Sequence, residues 1–170
     1  PLTHQQLQLE KVSELSLVYK WQGSDTNLKP ALLMAHQDVV PVDVETKNDW
    51  SFKPFAGTIE NGIILGRGAI DIKSGVMGIL ESVENLLAEG FIPSRTLYIA
   101  FGHDEEIGGN DGAKKIAQRF KSQNIEFEFI LDEGGSIVEG GIIPGVSKPV
   151  ALVGIAEKGY VSLKLTTNDI

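Results

Sequence analysis

The chain has 170 residues, 42% of them hydrophobic, enough for a globular domain that buries about two thirds of the surface its unfolded form exposes. A formal charge of -8, with no patch or run of Lys and Arg, argues against nucleic acid and anionic membranes as partners and favours a cation or a neutral metabolite. There is no cysteine, so a disulfide framework, a thiolate metal site and a thiol nucleophile are all excluded, and any metal must be held by histidine and carboxylates. No apolar stretch approaches a membrane span and no signal peptide is visible. The chain opens on Pro1, which fits a processed or trimmed piece and leaves its localisation unknown.

In chain order, the first dozen polar, Gln-rich residues read as a short helix or arm carrying a solvent-exposed His4 with no function. Residues 15–21 alternate partly and predict a strand, followed by a turn over 23–30. Residues 31–35 are a continuous apolar run of the kind that forms a strand buried on both faces. It ends at His36-Gln37-Asp38, and the long connection over 39–54 is of the length that tends to be functional. Residues 58–65 predict a hairpin turning on Asn61-Gly62. Gly66-Arg67-Gly68-Ala69-Ile70-Asp71-Ile72-Lys73 leads into a helix with apolar positions at 76, 79, 80, 83 and 87, closed by Gly90 and Pro93.

Residues 95–101 predict the next strand, which delivers Gly102-His103-Asp104-Glu105-Glu106-Ile107-Gly108-Gly109. A second helix is expected over 113–122, a strand over 126–131 closing at Asp132-Glu133-Gly134-Gly135, and two more strands over 150–155 and 160–166 joined around 157–159. Strands alternating with helices imply an α/β fold, with a mixed, mostly parallel sheet between helices. Ligands of such sheets collect at the carboxyl ends of the strands.

Four strand ends or strand-to-helix junctions each present a metal-type ligand: His36 with Asp38, Asp71, Glu105 with Glu106, and Asp132. Each alone has an ordinary explanation as a core histidine, a helix cap or a surface turn. Their recurrence at equivalent positions points to one cation site. One imidazole and several carboxylates without sulfur suit Zn²⁺ or a similar divalent ion, or two ions sharing a carboxylate. Asp38, two residues beyond His36, is placed to accept the second imidazole N–H and orient the ring. Asp71, on a glycine-rich connection, is the natural bridging carboxylate, and Asp132 completes the first ion's shell. Of Glu105 and Glu106, one binds metal while its neighbour acts as a general base on water. A dinucleotide-binding turn at Gly66-x-Gly68 fails, because Asp71 stands at the third glycine position and would repel a pyrophosphate.

These motifs, with Leu33-Met34-Ala35-His36-Gln37-Asp38-Val39-Val40-Pro41 and the stretch over 50–55, resemble the zinc metallo-exopeptidases and amidohydrolases typified by carboxypeptidase S, aminoacylase, acetylornithine deacetylase and succinyl-diaminopimelate desuccinylase. The resemblance covers most of residues 31–160 and is nearest the carboxypeptidase S branch. It implies a three-layer sandwich and two zinc ions, with Co²⁺ or Mn²⁺ as substitutes. His36, Asp71 and Asp132 would hold one ion, and Asp71 would bridge to a second that also takes Glu106. Glu105 would be the general base and Asp38 the orienter of His36. Ile72 stands where the family often has an acidic residue that is not a ligand. The family's later histidine and its lid and dimerisation domain have no counterpart here. Residues 1–170 are therefore expected to be the N-terminal part of a catalytic domain that hydrolyses a small peptide or an N-acyl amino acid and dimerises through an absent lid. The other reading is a non-catalytic metal-binding or oligomerising module.

Overall fold

Apolar runs without alternation demand cover on both faces, and two of them form the middle of this fold. In the computed structural model, which describes residues 1–156, 159, 161 and 163–166, Pro1–Glu133 and Gly134–Ile170 are two compact units. The first contains helix α1 (Leu2–Gln6) and strands β1 (Gln8–Val12), β2 (Ser16–Trp21) and β3 (Ala31–His36). It continues with the hairpin β4 (Thr58–Glu60) and β5 (Ile63–Leu65), helix α2 (Ser74–Ala88), β6 (Leu97–Gly102), α3 (Ala113–Ser122) and β7 (Phe129–Leu131). The main sheet has the order β1-β2-β6-β3-β7. β6 and β7 both run parallel to β3, β2 runs antiparallel to β6, and β1 antiparallel to β2. Only β2 therefore opposes the common direction. The sheet is mixed and mostly parallel, as the alternation of strands and helices implied.

The two faces are covered by different helices. Val83 and Leu87 of α2 pack with Tyr19, Ala35, Ile99 and Phe101, and Leu2 and Leu7 at the α1 end join that cluster. On the opposite face Ile116 and Phe120 of α3 pack with Val18, Leu32 and Ala100. Three layers result, with α2 following from its apolar spacing and stopping where Gly90 turns to φ 73°. The hairpin turns on Asn61 and Gly62, both with positive φ, the backbone that a two-residue turn between twisted strands requires.

The structure departs from the expected elements in three places. The arm after α1 is an edge strand, β1, whose side chains are nearly all exposed; a strand wet on both faces carries no apolar alternation. β7 occupies three residues of the six expected. In the second unit, the expected strand over 150–155 is reduced to β9 (Val150–Ala151), paired antiparallel with β8 (Ile137–Val138). Of the expected strand over 160–166, the described residues 161 and 163–166 are not in a strand. Glu157, Lys158, Tyr160 and Ser162 lie outside the described residues, and with them most of the expected turn at 157–159.

Candidate metal centre

The parallel register sets the site. His36 pairs with Gly102, so β3 and β6 end level with one another, and the turn after β6 begins beside the histidine. His36 is 2% exposed. Its Nδ1 lies 3.0 Å from the main-chain oxygen of Asp38 and 3.4 Å from Asp38 Oδ1. An Nδ1–H donated there leaves Nε2 with its lone pair facing outward. Around Nε2 stand Asp71 Oδ1 at 3.0 Å, Glu133 Oε1 at 3.2 Å and Glu105 Oε2 at 3.8 Å.

Each carboxylate arrives on a different device. Asp71 lies in the connection 69–73 ahead of α2, reached through Gly68, which has φ 77° and whose added Cβ would overlap Val39 Cγ1. Only glycine fits that approach. Glu105 and Glu106 share one turn of 3-10 helix, Glu105–Ile107, so they are not obliged to face opposite ways as in a strand. The Asp38 carboxylate accepts both of their backbone N–H groups, at 3.1 Å from Glu105 and 3.0 Å from Glu106. Glu106 Oε1 in turn accepts the Val40 N–H at 3.2 Å. Asp38 thus fastens the two glutamates to β3 as well as contacting His36.

Ligand atoms fall into two overlapping sets of metal-binding dimensions: His36 with Asp71 and Glu106, and His36 with Glu105 and Glu133. Asp132 belongs to neither; it is exposed, and its Oδ1 accepts the N–H of Glu133 at 2.9 Å. Its neighbour Glu133 is the residue that reaches His36. Consecutive side chains at a strand end diverge, and the acidic pair Asp132-Glu133 in the sequence was the available signal that either was a candidate.

The electrostatics are those of a site with too much negative charge. Burial raises the Glu105 pKa; His36 partly offsets this, and Glu106, Asp38 and Asp71 raise it further. Burial likewise raises Glu133, His36 again opposing, with Asp71, Glu105 and Asp132 adding to the rise. For His36, burial works against the imidazolium, yet Glu133, the Asp38 carbonyl, Asp71 and Glu105 together outweigh it and leave its pKa raised. Beside the cluster, a cavity of about 200 Å³ is lined by Val40, Arg67, Gly68, Asp71 and Glu106 among others. The Arg67 guanidinium there lies 5.1 Å from the centre of the Trp50 ring, a cation–π arrangement.

An α/β sheet that gathers one buried imidazole and several carboxylates at the carboxyl ends of parallel strands defines the class: a candidate metal centre on a three-layer sandwich. The chain belongs to the peptidase family M20/M25/M40, which residues 32–167 match. It is 52% identical over 171 residues to a probable carboxypeptidase S-like protein 2 of Dictyostelium discoideum, covering 100% of this chain and 33% of that one. It is 49% identical over 164 residues to the N-fatty-acyl-amino acid synthase/hydrolase PM20D1 of Xenopus tropicalis, covering 96% and 31%. Among solved structures, an M20 family metallo-carboxypeptidase from Sulfolobus solfataricus matches with a TM-score of 0.62 at 26% identity, over 79% of this chain and 31% of that chain. Human carnosine dipeptidase 1, at TM-score 0.63 and 19% identity over 79% and 31%, shares the fold. The chain spans about a third of the length of these relatives.

Proposed function

We propose that residues 1–170 are the N-terminal part of the catalytic domain of a metal-dependent hydrolase that cleaves the amide bond of a small peptide or an N-acyl amino acid, as a carboxypeptidase does. The observation that carries this reading is the convergence of His36, Asp71, Glu105, Glu106 and Glu133 around one point at the sheet's carboxyl edge. Family membership and the names of the relatives agree with it.

The donor set fits a divalent cation. Nitrogen and oxygen donors without sulfur suit Zn²⁺, with Co²⁺ or Mn²⁺ as substitutes, and the pKa values of Glu105 and Glu133, raised first by burial and further by neighbouring carboxylates, belong to groups whose charged form a cation would favour. In this reading His36, Asp71 and Glu106 would hold the metal, with Asp71 placed to serve two ions, and a carboxylate from the end of β7 would add to the donor set. The family resemblance assigns that place to Asp132, while Glu133 is the nearer residue in this structure. The family resemblance implies that a histidine farther along the longer protein would add to the donor set, and that a lid domain would read the substrate and form a homodimer. Bound metal supplies a Lewis acid for the amide carbonyl and lowers the pKa of water.

The chain's own residues do the rest. Glu105, exposed enough to meet substrate and held at the turn by Asp38, takes a proton from the attacking water and returns it to the leaving nitrogen. Asp38 keeps the His36 ring in one tautomer and holds the Glu105 and Glu106 amides. In the full-length protein, Glu105→Gln is expected to lower hydrolysis of N-acyl amino acids and dipeptides at least about 1,000-fold while zinc content stays at the wild-type level. Undiminished turnover in that variant would remove Glu105 from the role.

A further inference from the structure

The cluster that follows β6 contains two ionisable residues that the proposed reaction does not use, His103 and Asp104. Asp104 is 7% exposed, and a carboxylate so far from water requires donors. It has two, both main-chain: the N–H of Asp111 to Oδ2 and the N–H of Gly112 to Oδ1, each at 2.8 Å. These donors lie directly ahead of α3, where backbone N–H groups lack helical partners and a negative charge is favoured. The main-chain oxygen of the same residue accepts the N–H of Gly109 at 2.8 Å and of Ile107 at 3.3 Å.

One residue therefore fastens the whole loop from the glutamate turn to the start of α3. The fit is close: a Cβ added at Gly112 would overlap Asp104 Oδ1. Behind it, the fully buried Ser16 of β2 places its Oγ 2.6 Å from His103 Nδ1, which anchors the residue before Asp104 to the sheet. In front, Asp38 holds the N–H groups of Glu105 and Glu106. The two glutamates are thus gripped between a carboxylate on the β3 side and a carboxylate on the α3 side.

We propose that Asp104 is a positioning residue: its buried carboxylate ties the N-terminus of α3 to the glutamate turn and so fixes the direction in which Glu105 and Glu106 face His36. The proposal rests on the reading of Glu105 as the general base. Its physical content is that the grip is shared, so loosening the Asp104 side frees the turn even though the glutamate amides bond to Asp38.

The test uses the full-length protein and the isosteric Asp104→Asn, which keeps one acceptor oxygen and loses the other. With an N-acyl amino acid as substrate and saturating zinc, kcat is expected to fall about 10- to 100-fold while KM stays within about twofold. Amide exchange at Glu105 and Glu106 is expected to accelerate, a readout that a purely structural role of Asp104 elsewhere would not move. A folded variant with wild-type kcat and unchanged exchange at those two amides overturns the proposal. If the variant does not fold, wild-type exchange decides: the Asp111 and Gly112 amides must be protected as strongly as those of β6, and exchange at loop-like rates overturns it. A protein that hydrolyses no amide, or whose Glu105→Gln variant remains active, refutes the base assignment instead and leaves the exchange measurements to judge Asp104.

Discussion

At His36 the balance of burial and charge has consequences that solution measurements reach directly. In the ion-free protein its pKa is raised above 6.5, so the stability it contributes is fully present below about that pH and is lost as pH rises through the folded value. Glu105 and Glu133, raised above 4.5, act in the same direction, because ionising them costs more in the folded state than in the unfolded one. Chelator-treated protein is therefore expected to be more stable to denaturant at about pH 5.5 than at about pH 8, with added Zn²⁺ reversing the order. Stability that rises over that range without metal would contradict this. The end of β7 gives a second comparison. If Glu133 is a ligand, Glu133→Gln weakens zinc binding at least about tenfold and Asp132→Asn does so less; the reverse order assigns the place to Asp132. The residue types of the site were readable in the sequence because histidine and carboxylates have specific chemistry. The anchoring of Asp104 was not, since its partners are backbone N–H groups that no residue type encodes, and which of Asp132 and Glu133 faces His36 was hidden because adjacent acids differ only in the face they take.

The elements follow periodicity where burial is one-sided or complete. α2, α3, β3 and β6 occupy nearly the residues that apolar spacing indicates, while β1, with almost every side chain in water, and the two-residue β9 bury too little to leave a pattern. In α3, Phe120 is 5% exposed and stacks edge-on with Tyr98 and Phe127, ring centres 5.1 and 4.9 Å away. Phe120→Ala should lower unfolding stability by about 3–5 kcal/mol, measurable by denaturant titration, and a loss under about 1 kcal/mol would mean that the α3 face collapses around the cavity. The short helix α1 is held by a charge. Glu84 on α2 accepts the N–H of Leu2 at 2.7 Å, the N–H of Thr3 at 2.9 Å and the Thr3 hydroxyl at 2.8 Å. Those bonds, led by the Thr3 and Leu2 amides, bring its carboxyl down to about 2. A depressed carboxylate stabilises above its unfolded value and loses that contribution as pH falls, here from 4.5 through about 2. Protection of the Leu2 and Thr3 amides, measured as exchange relative to the intrinsic rate at each pH, should fall over that window, and Glu84→Gln should show the lower protection already at neutral pH. Protection that does not change with pH would separate α1 from Glu84.

At the scale of the whole molecule, one topological fact makes distant residues into a site: β3, β6 and β7 run in one direction, so their carboxyl ends meet at one edge. Residues from 36 to 133 converge there because of strand order, and the α/β alternation of the sequence carries that order only as a class. The adjacency of β6 to β3, with β7 outside, comes from the fold. The chain matches its family over residues 32–167 and covers about a third of each relative, so the central claim, the cation, is tested on the full-length protein. The most direct test is the metal content and calorimetric zinc affinity of the full-length protein beside its Asp71→Asn variant. The wild type is expected to hold about two zinc ions per chain, with at least about a tenfold loss of affinity for one of them in the variant. A wild-type protein that binds no divalent ion, or a variant that binds zinc unchanged, would contradict the assignment of this edge as a metal centre.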